Sequence, residues 1–348
     1  MSKFSGFSRR RFLLTSSLIT LGVSVGAKVK GNSVPVNWSQ RALDIGKQAY
    51  IWGYPLVVIK RTERIAISRT PLNQFSRADY LATPEQRTVV APNNDTLYAT
   101  AWLDLHQEPL ILQVPDTNGR YYTIQFLDAY TNTFAYVGTR VTGTQEGSYA
   151  IVGPTWKGTL PEGVKQIESP TNTVWLLGRT LVDGEADLPK ARALQQQYTL
   201  TLLSAYGTTS PDTAQLGPTQ ATENLPSPQD IASSGFQFYD ELGGDLQGDP
   251  PPVAQRPLLK QFAQFGIGSK RGTLQLKDLT IVAALTEAVS DGDRLIQDSR
   301  FGTTMNGWSV NYLTGDFDSN YLLRAFVAKY LLGANVAEEA LWKRNRLC

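Results

Sequence analysis

The sequence holds one histidine, His106, and one cysteine, Cys348. A single cysteine forms no intrachain disulfide and supplies too few thiolates for a zinc site. A single histidine excludes a two-histidine metal centre, and any Ser-His-Asp triad has to run through His106. That residue sits in Leu105-His106-Gln107-Glu108-Pro109, which reads as an exposed turn. Charge is scarce too: 18% of residues are charged and the formal net charge is +2. The first 27 residues hold four bases, Lys3, Arg9, Arg10 and Arg11, and no acid, so the rest of the chain carries −2. A nearly neutral body has no electrostatic footprint for nucleic acid. Walker A, G-x-S-x-G, H-E-x-x-H and dinucleotide-binding motifs are all missing, so no cofactor is identified. Asp316-Phe317-Asp318-Ser319-Asn320 opens like a calcium loop, but Tyr321 replaces its glycine and Val327 its closing glutamate. No metal site is expected.

What the sequence does have is a leader. Ser8-Arg9-Arg10-Arg11-Phe12-Leu13-Leu14 follows the twin-arginine export pattern S-R-R-x-F-L. An apolar stretch runs from Leu13 to Ala27, and Val25-Gly26-Ala27 offers small residues to a signal peptidase. A membrane-spanning helix needs roughly 20 mostly apolar residues. This stretch has 15 and contains Thr, Ser and Gly. The expectation is a signal peptide over 1–27, export by the twin-arginine pathway to the periplasm or beyond, and a body with no stable membrane span.

Residues 39–67 have helical periodicity, with Ala42, Ile45, Ala49, Trp52 and Leu56 on one face and Ser39 as N-cap. Gly53 and Pro55 predict a kink or break near its middle. From Val89 to Leu181 the period changes to two, and strands are expected at 96–104, 109–114, 120–128, 133–141, 148–152 and 173–181. Turn chemistries such as Pro115-Asp116-Thr117-Asn118-Gly119 separate them. Closely spaced strands with short turns predict an antiparallel sandwich or barrel. A helix is expected over 187–203. Residues 207–229 and 243–257 are rich in turn formers and read as loops. Further helices are expected at 230–242, 256–265, 276–298 and from 318 towards the end.

Several stretches resemble the bacterial "domain of unknown function 1254" family across Gln48–Tyr198. They include Tyr50-Ile51-Trp52-Gly53-Tyr54-Pro55-Leu56, Pro92-Asn93-Asn94-Asp95-Thr96-Leu97-Tyr98, Asp128-Ala129-Tyr130-Thr131-Asn132 and Leu177-Gly178-Arg179. Tyr321-Leu322-Leu323-Arg324-Ala325 continues the likeness. In the family that helix usually leads into a second module, "domain of unknown function 1214", so the resemblance implies a relative lacking it. It implies no catalytic assignment. The expected organisation is a leader over 1–27, a β-rich domain over 28–205, a linker or long loop over 206–229 and a helical region over 230–348. The fold class is α+β: an antiparallel sandwich-like domain with an N-terminal helix and a helical C-terminal region. The apolar helix around Tyr321–Leu341, with few residues after it, predicts an uncovered surface and association through it, as a homo-oligomer or otherwise.

Chemistry concentrates on the strands. Asn93, Asn94 and Asp95 precede the first strand and suit a polar ligand, a hard cation held through oxygen, or a structural turn. Alternation places Thr96, Tyr98, Thr100, Trp102 and Asp104 on one face, opposite Leu97, Ala99, Ala101 and Leu103. Rings beside polar groups suit a small-molecule pocket, although Tyr98 and Trp102 also suit a core. Arg140 is a candidate carboxylate clamp, or the partner of Asp128 in a structural ion pair. The functional expectation is an exported protein binding a small polar or aromatic ligand through Asn93, Asn94, Asp95, Tyr98, Trp102 and Arg140. The alternative is a metal-free hydrolase or lyase with Asp95 and Asp128 as paired carboxylates, assisted by Tyr98 or Tyr130. That chemistry needs the two carboxylates within about 5–10 Å.

Overall fold

In the computed structural model, the described residues are 37–83, 93–208, 228, 230–269, 272–273, 276–306, 308–310, 315, 317 and 319–330. The leader, Pro92, most of the 206–229 loop, Asp316, Asp318 and the chain after Tyr330 lie outside them.

The period-two segment folds as expected. In chain order its strands are β1 (Phe75–Arg77), β2 (Thr96–Asp104), β3 (Leu110–Val114), β4 (Tyr122–Asp128), β5 (Thr133–Gly138), β6 (Gly147–Val152), β7 (Lys165–Glu168), β8 (Thr173–Leu181) and β9 (Thr199–Leu202). They form two sheets, β1-β2-β8-β4-β5 and β7-β6-β3-β9. Every pair is antiparallel except β6 with β7, which is parallel. Ala99, Leu103, Ile124, Phe126 and Leu176 from the first sheet meet Leu110, Leu112, Val114, Tyr149 and Ile151 from the second. Each fully buried large side chain among them is worth about 1.5–3 kcal/mol. The face of β2 assigned to the core by alternation does face it.

β9 corrects the helix expected over 187–203. The helix α2 covers only Leu188–Gln195, and the chain then pairs β9 with β3, Leu200 opposite Leu112. The β-branched Thr199 and Thr201 favour that outcome.

The remaining elements are helices: α1 (Trp38–Ile67), α3 (Phe238–Gly248), α4 (Arg256–Phe262), α5 (Leu279–Asp298) and α6 (Tyr321–Tyr330), with a short β10–β11 hairpin (Thr303–Met305, Trp308–Val310) before α6. The N-cap of α1 is Asn37, whose Oδ1 accepts the Gln40 N–H at 3.1 Å, rather than Ser39. Pro55 does not end α1, which runs 30 residues through it. A proline inside a helix costs about 3 kcal/mol or more. Here the helix is buried on several sides: Tyr50, Trp52, Tyr54, Leu56 and Val57 share one apolar cluster with residues of α3, α5 and α6. α3 likewise continues through Gly243 and Gly244, where a loop was expected. Over its described length α6 is not the bare surface expected of it. Leu323, Ala325, Val327 and Ala328 are buried and only Tyr330 is exposed. Among the described residues no helix is long and apolar enough to cross a membrane.

Candidate functional site

The sandwich uses one face of the five-stranded sheet and leaves the other for different contacts. Register fixes what that outer face carries. Tyr98 lies opposite Arg179, Thr100 opposite Leu177 and Trp102 opposite Trp175 on β2 and β8. On β4, Thr123 is opposite Arg179 and Gln125 opposite Leu177. Trp102 and Trp175 stack with centroids 4.9 Å apart and planes 8° from parallel. The Arg179 guanidinium lies 5.7 Å from the Tyr98 ring centroid. Gln125 donates to Thr133 Oγ1 at 2.9 Å. Arg179, Gln125 and Thr123 are buried, whereas Tyr98, Thr100 and Trp175 are half-buried. The indole Nε1 of Trp175 is buried without an acceptor among the described residues. An aromatic wall beside buried polar groups can seat a flat molecule and hydrogen-bond its edge.

Asn93 closes the near end of this face. Its N–H donates to Tyr98 Oη at 2.8 Å, and its Oδ1 accepts the Asp95 N–H at 2.9 Å. The Asp95 carbonyl accepts the Val182 N–H at 2.9 Å. This is an Asx turn that starts β2. Asn94 and Asp95 are exposed.

Asp128 belongs elsewhere. It pairs with Val174 at the far end of β8, while Asp95 bonds to Val182 at the near end. Eight residues of strand separate those levels, about 26 Å at the usual rise. The expected carboxylate pair is therefore overturned, and with it the hydrolase or lyase built on it. Asp128 instead holds the β4–β5 turn: Oδ1 accepts the N–H groups of Tyr130 and Asn132, each at 2.8 Å, and Oδ2 accepts Asn132 Nδ2 at 2.8 Å. Thr131 between them adopts a positive φ of 69°. Burial raises the Asp128 pKa, against the Asn132 hydrogen bonds and the charge of Arg324, which lower it.

Tyr130 is core, 5.8 Å from the Trp52 ring, with its hydroxyl donating to the Asp249 carbonyl at 2.7 Å. Arg140 is exposed just after β5, 5.8 Å from the Tyr121 ring and at the end of the sheet away from Asp128. The cation facing Asp128 is Arg324 of α6, so the expected pairing with Arg140 is corrected. Of the sequence candidates, the structure joins Asn93 to Tyr98, puts Trp102 on the same strand face, leaves Asp128 and Tyr130 at the far end, and places Arg140 two strands beyond β8 at the Tyr98 end. It adds Trp175, Arg179 and Gln125. The same alternation was legible in 173–181, where Thr173, Trp175, Leu177 and Arg179 share a face.

His106 is about half exposed but not idle. Nδ1 meets Asp104 Oδ1 at 2.5 Å and Nε2 meets the Gly248 carbonyl at 3.0 Å. Partial burial disfavours its charged form, but the Asp104 contact outweighs this and raises its pKa. Among the described residues no group of three or more His, Cys, Asp or Glu is placed to hold a metal ion.

An α+β protein whose antiparallel-rich sandwich is backed by helices, with an aromatic–polar sheet face beside them, is the class this geometry defines. Residues 72–202, from just before β1 to the end of β9, match the family described as "Protein of unknown function (DUF1254)". The crystal structure of the VPA0106 protein from Vibrio parahaemolyticus is similar in fold, with a TM-score of 0.62 at 22% identity over 84% of this chain and 68% of that one. An uncharacterized protein from Burkholderia cenocepacia aligns at 11% identity over 53% of this chain and 51% of that one, with a TM-score of 0.28 too low to carry any argument. No curated protein matches the chain.

Proposed function

We propose that this is an exported protein that binds a small polar or aromatic ligand on the outer face of the five-stranded sheet. The observation that carries the reading is the Trp102–Trp175 stack, in which Trp102 is buried and Trp175 half-buried, on the sheet face that the sandwich core does not use. Tyr98 and Arg179 extend the wall along the strands. The Trp175 indole N–H, without an acceptor among the described residues, supplies a donor for a ligand oxygen. The test is quenching of tryptophan fluorescence by benzamide, benzoate, catechol and glucose, repeated with Trp175→Ala and with Asp128→Asn. Stacking on an aromatic wall is worth about 0.5–1.5 kcal/mol, so Trp175→Ala should weaken a binding probe by up to about tenfold and Asp128→Asn should not. A probe bound equally by wild type and Trp175→Ala refutes the site. Export rests on the Ser8–Leu14 motif. Replacing Arg9 and Arg10 with lysine should retain the protein in the cytoplasm, and unchanged export refutes the assignment.

A further inference from the structure

A buried ion-pair network joins α1 to α3, and its charges do not balance. From α1 come Lys60, Arg61, Glu63 and Arg64; from α3, Glu241 and Asp245; and Asp249 follows directly. Arg61 Nη2 meets Glu241 Oε2 at 2.6 Å, and Arg64 Nη1 meets Glu241 Oε1 at 2.8 Å. Arg64 Nη2 also bonds Asp245 Oδ1. Lys60 pairs with Glu63 and lies 3.6 Å from Asp249 Oδ2. Asp249 in turn accepts the Thr173 N–H at 2.8 Å and its hydroxyl at 2.6 Å. Among the described residues four carboxylates thus face three cations, and an uncompensated buried charge is neutralised more cheaply than it is kept.

The geometry says where neutralisation falls. Two network oxygens lack a hydrogen-bond partner among the described residues, Glu63 Oε2 and Asp245 Oδ2. Glu63 Oε2 is the atom that meets the Lys60 ammonium. Asp245 Oδ2 has no cation of its own among the described residues, because Arg64 reaches Oδ1. Asp245 is only 5% exposed. Glu63 and Glu241 act on it as like charges, Arg64 and Lys60 as opposite ones. A proton on Asp245 would remove the excess negative charge and give its carboxyl a donor.

We propose that Asp245 is a proton-binding site that locks α3 against α1: with the proton the joint is charge-balanced and closed, and without it α3 loosens. Burial pushes this carboxyl up from the ordinary 3.8 to about 7, the direction the proposal requires. Its sign is that of a raised acid. Between about pH 4 and 7 the closed state holds a proton that the open state does not, so closure weakens as pH rises through that window. Burial disfavours the charged form of Lys60, but Glu63 outweighs this and raises its pKa.

The experiment is amide hydrogen exchange of residues 242–247 between pH 6 and 8, corrected for the intrinsic rate and repeated with His106→Gln, because His106 meets the Gly248 carbonyl at the end of α3 and its own pKa is raised. The expected result is an opening constant that rises about tenfold in wild type, the ratio that proton linkage gives across a midpoint of 7, and stays flat in Asp245→Asn. Equal pH dependence in both, or none in wild type, overturns the proposal. If the variant does not fold, carbon NMR titration of the wild-type Asp245 carboxyl decides: a midpoint near 7 supports the lock and one below 5 overturns it. Neither readout depends on a ligand, so failure here is distinct from failure of the sheet-face site.

Discussion

Replacing Gly292 with alanine sets two effects of opposite sign against each other. Gly292 is buried within α5. In a helix interior, alanine is favoured over glycine by about 0.8–1 kcal/mol, so propensity alone predicts stabilisation. Packing predicts the reverse. A Cβ at this position falls 2.7 Å from Tyr50 Cδ1 and 3.3 Å from Tyr50 Cβ. The Tyr50 ring has little room to retreat: it packs 4.6 Å from Phe238, and its hydroxyl donates to Asp293 Oδ1 at 2.9 Å. Forcing a methyl into a filled core costs about 1–3 kcal/mol, and disturbing a hydrogen bond to a charged group costs about 1.5–3 kcal/mol more. The net is a loss of about 1.5–5 kcal/mol. The control is Gly244→Ala in α3, where the added Cβ meets nothing within 4 Å and the gain of about 0.5–1 kcal/mol should appear undiminished. Urea unfolding of both variants beside wild type measures the pair. A Gly292→Ala protein as stable as wild type would show that α1 and α5 do not approach as closely as described.

Asp128→Ala leaves two backbone N–H groups and the Asn132 amide without their acceptor, and should cost about 3 kcal/mol in urea unfolding; a neutral effect would remove Asp128 from its turn role. Asp95→Asn, at an exposed position, should change stability by no more than about 0.5 kcal/mol, and a larger loss would show that its carboxylate braces the turn. Asp187 is held well below the usual carboxylate range, chiefly by its hydrogen bond from Arg120. Its stabilisation is present above the ordinary carboxylate pKa and is lost as pH falls through the depressed one. Arg120→Ala should therefore lower the unfolding midpoint at pH 6 and lower it less at pH 2, and an equal drop at both would refute the pairing.

The sandwich was legible because one physical rule, alternation across a pleated strand, is local. Strands β2 and β8 have the bounds expected at 96–104 and 173–181, and Ala99 and Leu103 face the core as their alternation demands. β1, β7 and β9 were not legible. They have three or four residues each, too few for a period to register, and they are defined by the strand they pair with. Pro55 misled for a related reason. Its local cost to α1 is real, but the packing of Trp52, Tyr54 and Leu56 against three helices is invisible in the local sequence.

The candidate site divides along the same line. Tyr98 and Trp102 share a face by alternation, so that pairing needed only β2. Linking Asp95 to Asp128 needed the strand order and the register, and short sequence separation stood in for both. In the sheet, β2 and β4 run parallel on either side of β8, so a residue just before one strand and a residue ending the other are a strand length apart whatever their chemistry. Once β8 is known to lie between them, the residues that belong beside Tyr98 and Trp102 are those of β8 itself, Arg179 and Trp175. The sheet face is thus built by residues of adjacent strands 73 and 81 positions apart in the chain (Trp102 to Trp175, Tyr98 to Arg179), and no spacing motif spans such a distance. A functional test aimed at this face therefore starts with Trp175, because that side chain joins the stack, the half-buried surface and an indole N–H without an acceptor among the described residues.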